Sequence, residues 1–259
     1  MRKILQPIRF LGIFAMIAFF LAVMSVVWIV VRHPVRRTRT ANHFLRMLSH
    51  LGLWLLGVKV NVVGEALPDG ISNALFVGNH MSYVDVLVIA RNFPACFVTS
   101  VEIKETPGLG LICQMAGCLF VERRNKQNLI SEVRELTDGL KNGLNIAIFP
   151  EATSSNGEQI YRFRRPLYVS AIEAGAKIVP MCLNYRSVGG QPISRANRDN
   201  ICWYGDMDFL PHLWALVGCG GIQADLHFLP PIATRAGDES TALAERTQAA
   251  VESVFQPIR

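Results

Sequence analysis

Between Phe10 and Val31 the chain carries no charged residue, and this run of 22 positions constrains it more than any other feature. At about 1.5 Å per residue, a helix over the run is roughly 33 Å long, enough to cross a hydrocarbon core of about 30 Å. A cleavable signal sequence has a shorter apolar region and a small-residue cleavage site, whereas this run leads straight into Arg32-His33-Pro34-Val35-Arg36-Arg37. The segment therefore reads as an uncleaved membrane anchor. Arg2, Lys3 and Arg9 precede it, and Arg32, Arg36, Arg37 and Arg39 follow it, a small excess that favours a C-terminal domain on the cytoplasmic side. Residues 41–57 then carry Phe44, Leu45, Leu48, Leu51, Leu53, Trp54, Leu55 and Leu56 among His43, Arg46 and His50. That pattern is an amphipathic helix, suited to the membrane interface or to packing against the domain that follows.

The chain thus divides into an N-terminal anchor, residues 1–57, and residues 58–259, enough for one sizeable core and too few for two. A net charge of +6 calls for an anionic partner. The bases flank the apolar helix or stand singly near loops, without the basic stripe and interleaved aromatics of a nucleic-acid module, so membrane lipids are the expected partner and nucleic acid is not. Cys96, Cys113, Cys118, Cys182, Cys202 and Cys219 are scattered, form no CxxC pair and fall mostly in apolar runs. They suit buried thiols in a reducing compartment, and neither a disulfide framework nor a metal site is expected.

After Gly57 short β-rich runs alternate with helical ones. Strands are expected at 58–63, 74–77, 96–100, 118–122, 145–149, 177–184 and 223–228, and helices at 83–91, 109–115, 129–142, 167–174 and 240–255. The alternation predicts an α/β fold, a single domain with a mostly parallel mixed sheet flanked by helices, preceded by the membrane-anchoring helix or a two-helix motif.

In such sheets chemistry gathers where strands end at their carboxyl side, and three polar clusters fall there. Asn79-His80-Met81-Ser82-Tyr83-Val84-Asp85 follows the 74–77 strand. A base that takes a proton from a hydroxyl is most often a histidine oriented by a carboxylate, and His80 with Asp85 has that form. Asp85 three residues after Ser82 also matches a helix-capping acid, so a structural role stands beside the catalytic one. Phe149-Pro150-Glu151-Ala152-Thr153-Ser154 follows the 145–149 strand. Glu151, Thr153 and Ser154 are placed to hold a substrate's hydroxyls or head group, or to form an ordinary polar turn. Phe120-Val121-Glu122-Arg123-Arg124 ends another strand. Its guanidiniums suit phosphate or carboxylate, or simply pair with neighbouring acids.

Taken together, these clusters resemble the glycerophospholipid acyltransferase family over about residues 58–185, roughly half the chain. His80 to Asp85 is similar to its His-four-residues-Asp motif, Phe120 to Arg123 to its second block, Phe149-Pro150-Glu151 to its third and Val179-Pro180 to its fourth, in the family's order. The resemblance implies acyl transfer from acyl-CoA or acyl carrier protein to the hydroxyl of a lysolipid such as 1-acylglycerol-3-phosphate, without a bound cofactor. It implies His80 and Asp85 as the catalytic residues, Arg123, Glu151, Thr153 and Ser154 as substrate-binding residues, and a location at the inner membrane facing the cytoplasm. His33, His43, His50, His212 and His227 match no block and are taken as structural.

The third block in the family reads Phe-Pro-Glu-Gly-Thr-Arg, and here Ala152 and Ser154 stand for the glycine and the arginine. Loss of that arginine removes a phosphate contact and brings lyso-ornithine lipid within range as acceptor. The alternative of another class is a non-catalytic lipid-binding membrane protein with the same fold.

Overall fold

A computed structural model describes residues 2–64, 70–122 and 128–259. In chain order the elements are α1 (Arg2–Val30), α2 (Pro34–Leu56), β1 (Val58–Gly64), β2 (Ala74–Gly78), α3 (Val84–Ala90), β3 (Cys96–Ser100), α4 (Val101–Glu105), α5 (Leu109–Met115), β4 (Leu119–Val121), α6 (Leu129–Lys141), β5 (Ile146–Ile148), α7 (Tyr168–Ala174), β6 (Lys177–Val188), β7 (Gln191–Pro192), α8 (Phe209–Gly218), β8 (Ile222–Phe228) and α9 (Ser240–Glu252).

The strands form one mixed sheet in the order β1-β8-β6-β2-β5-β3-β4, with β7 paired to β6 as a short hairpin. From β6 to β4 all neighbours are parallel. β8 runs antiparallel to β6, and β1 runs parallel to β8. The predicted single α/β domain with a mostly parallel sheet is the observed one. β2 and β5 are buried at every position, which is why they read as unbroken apolar runs, whereas β8 alternates between buried and partly exposed residues.

Alternation along the central strands sends side chains into two layers. Phe76, Ala147 and Val179 pack with α3, α8 and the N-terminal helices, while Leu75, Val77, Ile146 and Ile148 pack with α6, α7 and α9. α8 was not foreseen: its residues are apolar nearly all round, and Pro211 near its start mimics a break, so periodicity alone does not separate helix from strand there.

The N-terminal segment is a two-helix motif. α2 begins at Pro34, earlier than the expected residue 41, because proline suits the first helical position and the arginines after it are good helix formers. α2 is fastened to the domain by Arg39, which donates to the Asn142 carbonyl at 3.0 Å, and by Asn42, whose buried amide lies against Cys96. α1 lies on α2 and α8 along nearly its whole length. Gln6 Nε2 donates to the Trp214 carbonyl at 2.8 Å, Gly12 sits under Leu55, Met16 fits over Gly52, and Phe20 stacks on Phe44 with centroids 5.9 Å apart. Near its end Trp28 receives the Arg37 guanidinium at 3.8 Å. The outer side leaves Ile8, Leu11, Phe14, Phe19, Val26, Ile29 and Val30 exposed, together with Trp54 of α2 and Trp214 of α8.

Gly52 has Met16 and Leu87 each 3.3 Å from where a Cβ would stand, so α2 packs there against α1 and α3 at once. Gly52→Phe is expected to wedge these helices apart and cost about 1–3 kcal/mol. The checks are a lowered melting temperature and faster proteolysis between α1 and α2. An unchanged melting temperature would mean that this packing is not required.

Candidate active site

The sharpest local feature is where β2 ends. Past the last ladder pair, Gly78 with Met181, the side chain of Asn79 takes over the role of a strand backbone. Its Nδ2 donates to the Leu183 carbonyl at 2.9 Å, and its Oδ1 accepts from the Leu183 N–H at 2.8 Å. The main chain is thereby released from the sheet while its direction stays fixed, and His80 is the first residue of the turn.

Both the backbone and the ring of His80 are held. Its backbone N–H donates to Glu151 Oε1 at 2.8 Å, and its carbonyl accepts from Ser155 N–H at 2.8 Å. The imidazole stacks on Phe149 with centroids 4.1 Å apart and an angle of 12°. Its Nδ1 lies 2.9 Å from Asp85 Oδ2. The β2 exit is therefore clamped by residues 149–155 at the exit of β5, its parallel neighbour.

Asp85, with 0% exposure on the first turn of α3, accepts four hydrogen bonds. Oδ2 takes His80 Nδ1, Met81 N–H at 2.6 Å and Ser82 N–H at 2.9 Å, while Oδ1 takes the Tyr185 hydroxyl at 2.5 Å. The bond to Ser82 is the reach-back contact of a capping acid, so the orienting and capping geometries coexist in one side chain. Burial, with the negative charge of Asp85 second, pushes the Tyr185 phenol well above its usual range, so it stays a donor. With its proton on Nδ1, the His80 ring carries its lone pair on Nε2, and no hydrogen bond from the described residues occupies that atom. The side chain is 21% exposed. Such a dyad can take a proton from an approaching hydroxyl and stabilise the resulting imidazolium.

The other sequence candidates fall in different places. Glu151 is only 3% exposed, and its second oxygen accepts Tyr161 N–H at 2.7 Å, so both oxygens hold backbone. Ser154 Oγ donates to the Trp203 carbonyl at 2.5 Å, and Trp203 N–H donates to the Met81 carbonyl at 2.8 Å. Thr153 is exposed, at the mouth of a separate cleft. Arg123 and Arg124 lie outside the described residues. Tyr185 was missed by sequence reasoning, since it lies 100 positions from Asp85 and no local pattern links them. His212, taken as structural, pairs with the Tyr83 hydroxyl at 2.9 Å behind the turn.

A family profile described as Acyltransferase matches residues 59–184. A lyso-ornithine lipid O-acyltransferase of Pseudomonas aeruginosa is 30% identical over 259 residues, spanning 97% of this chain and 92% of that protein. The chain belongs to the acyltransferase family. A 1-acyl-sn-glycerol-3-phosphate acyltransferase of Neisseria gonorrhoeae is 28% identical over 192 residues, 74% of this chain and 73% of the relative. The crystal structure of the 1-acyl-sn-glycerophosphate acyltransferase PlsC from Thermotoga maritima shares the fold, with a TM-score of 0.68 at 18% identity over 98% of this chain and 95% of that one. This acyltransferase has His80, Asp85 and Glu151 inside the matched region and Tyr185 one residue beyond it. With its apolar α1 it is membrane-associated.

Burial is the largest influence on Glu151 and raises its pKa from 4.5 to about 7, against the Tyr161 and His80 N–H groups, which favour the carboxylate; the charge of Asp85 adds a smaller push upward. The folded state therefore keeps this proton at pH values where the unfolded chain has lost it. Stability from this group is full below pH 4.5 and falls as pH rises to about 7, by on the order of 3 kcal/mol at about 1.4 kcal/mol per pH unit. Denaturant titrations at pH 5 and pH 8 are expected to show this loss, and Glu151→Ala to flatten it while lowering stability throughout. An unchanged pH slope in the variant would assign the dependence elsewhere.

Proposed function

We propose that the protein moves a fatty acyl group from acyl-CoA or acyl carrier protein to the hydroxyl of a lysolipid, with 1-acylglycerol-3-phosphate as the acceptor. The observation that carries this is the His80–Asp85 pair at the carboxyl end of a central parallel strand, in a chain of the acyltransferase family. In the transfer, the acceptor oxygen attacks the thioester carbonyl carbon while His80 Nε2 takes the hydroxyl proton. The C–S bond then breaks, and the proton passes from the imidazolium to the departing thiolate, leaving an ester and a free thiol. Asp85 holds Nδ1–H throughout, and Glu151, Ser155 and Phe149 keep the ring in place. Tyr185 acts through Asp85 as a positioning residue.

A second acceptor, lyso-ornithine lipid, is favoured by one observation. Ser154 stands where the family carries arginine, and its hydroxyl is engaged with Trp203, so this position offers no cation to a phosphomonoester. The relative from Pseudomonas aeruginosa carries that acceptor in its name.

The site is placed at the cytoplasmic face of the inner membrane. All six cysteines are free thiols, which suits a reducing compartment. α1 is long and apolar enough to span, but its contacts with α2 and α8 from Gln6 to Trp28 hold it against the domain. It lies in the interface with its exposed apolar side in the lipid, which brings a bilayer-resident acceptor to the domain.

Acyl transfer by the protein in lipid bicelles, followed as thiol release and ester formation, tests the reading. His80→Ala is expected to lower kcat by 10²–10⁴-fold, and Asp85→Asn to lower it heavily. Tyr185→Phe should reduce kcat about tenfold with little change in KM, in line with loss of a hydrogen bond to a charged group. Near-normal kcat in His80→Ala would refute the mechanism, and absence of thioester consumption by the wild type would leave a lipid-binding protein without catalysis. For the acceptor, Ser154→Arg is expected to move the ratio of kcat/KM values toward lysophosphatidate and away from lyso-ornithine lipid. An unmoved ratio would mean that position 154 does not read the head group.

A further inference from the structure

A cleft of about 600 Å³ opens beside the turn that clamps His80, between the 161–166 segment and α9. Glu151 and Thr153 line the end nearest that turn, with Glu151 buried and Thr153 exposed, and the exposed Arg162, Arg164 and Arg165 line one wall. This wall is tied down by its backbone. Tyr161 N–H is held by Glu151, Arg164 N–H donates to the Pro150 carbonyl at 2.9 Å, and Phe163 N–H donates to Gln248 Oε1 at 2.9 Å. Arg165 Nη1 donates to Thr241 Oγ1 at 2.8 Å. None of the three guanidiniums pairs with a carboxylate among the described residues, although Glu245 lies on the opposite wall. The cleft thus gathers three exposed guanidiniums on a backbone-anchored segment, with no carboxylate partner among the described residues, beside the turn that holds His80, and the best-matched ligand is a phosphate ester.

Its position in the fold narrows which phosphate. Phe163 and Ala244 belong to the core layer of α6, α7 and α9, on the side of the sheet opposite the layer that holds α1 and α2. A lipid acceptor arrives with its chain in the membrane on the α1 side, so the far side is left for a water-soluble ligand.

We propose that this cleft binds the phosphate of the acyl donor's phosphopantetheine arm, with Arg162 and Arg164 as its contacts and Arg165 as a braced neighbour. The proposal rests on the acyl-transfer reading above. Coenzyme A and acyl carrier protein share this phosphate, and the pantetheine chain beyond it is the flexible link that leads the thioester to His80.

The test uses the full chain in bicelles. Calorimetric titration with free coenzyme A should give a Kd at least tenfold higher in Arg162→Ala/Arg164→Ala than in the wild type, equal to about 1.4 kcal/mol, with partial recovery in Arg162→Lys/Arg164→Lys. In kinetics, the preference for acyl-CoA over an acyl-pantetheine lacking phosphate should fall at least tenfold. A parallel rise in KM for acyl carrier protein supports the shared phosphate, whereas a rise for acyl-CoA alone overturns it in favour of the nucleotide phosphates. Unchanged coenzyme A affinity overturns the proposal, as does a shift seen only with the carrier protein, which would mark its acidic surface, or only in KM for the lysolipid. Single Arg162→Ala gives the same comparison if the double variant is unstable. Failure of the wild type to transfer from any donor would instead refute the acyl-transfer reading, and the coenzyme A titration would still report on the cleft.

Discussion

Two hydrogen bonds from one turn to the backbone of one residue organise this molecule. His80 N–H is held by Glu151 and its carbonyl by Ser155 N–H, so the exit of β2 cannot move without the exit of β5. A histidine just past a strand would otherwise sample several turn conformations, and its ring would meet Asp85 only part of the time. Here the backbone is set from one side and the ring from the other, because Asp85 is itself anchored by Met81, Ser82 and Tyr185. Two sequence blocks about seventy residues apart are thus one structural unit. The arrangement requires two buried carboxylates, each of which loses its hydration, and such groups persist only where hydrogen bonds replace the lost water. At Glu151 two backbone donors fall short of that, which is why burial dominates its pKa.

The same sheet keeps two kinds of surface apart. One layer ends in α1, α2 and α8 with exposed Phe, Ile, Leu and Trp side chains, and the other ends in α9 and an arginine-lined cleft. On the proposed reading, a membrane-resident hydroxyl meets a water-soluble thioester, and this division offers each substrate a surface of its own kind. The turn carrying His80 lies where the parallel strands end, at the edge between the two layers.

Much of the architecture was legible in the sequence, for identifiable reasons. β3 and α5 were foreseen at their observed bounds, because each is a short apolar run delimited by polar residues or glycine. The parallel centre was legible because strands buried on both faces are continuously apolar. β6 runs four residues past its expected end, since Tyr185 to Val188 pair with β8 in a way no local pattern encodes. His80, Asp85 and Glu151 stood out by residue type and spacing, and the fold brings them together, whereas the two backbone N–H groups that Glu151 holds leave no mark in sequence. Tyr185 was invisible for the same reason in sharper form: a hydrogen bond across the sheet depends on register, and register is a tertiary property.

The departures at residues 152 and 154 then take on physical meaning. Ala152 has φ of 61°, in the left-handed region where a Cβ costs about 1–2 kcal/mol and where glycine is at ease. The turn keeps this conformation with alanine because the hydrogen bonds of Glu151 and Ser155 on either side fix it, and changing the shape would release His80. Residue 152 can therefore vary at a cost in stability while the His80–Asp85 geometry is preserved. Ser154 is different, since its side chain points away from the clamp to the Trp203 carbonyl, and Trp203 in turn holds Met81. An arginine there adds a cation near the His80 turn but gives up that tether, whereas serine keeps the tether and leaves the position neutral. One substitution bears on the energy of the turn and the other on its electrostatics, so on the proposed acyl-transfer reading it is position 154, not 152, that bears on the choice of acceptor.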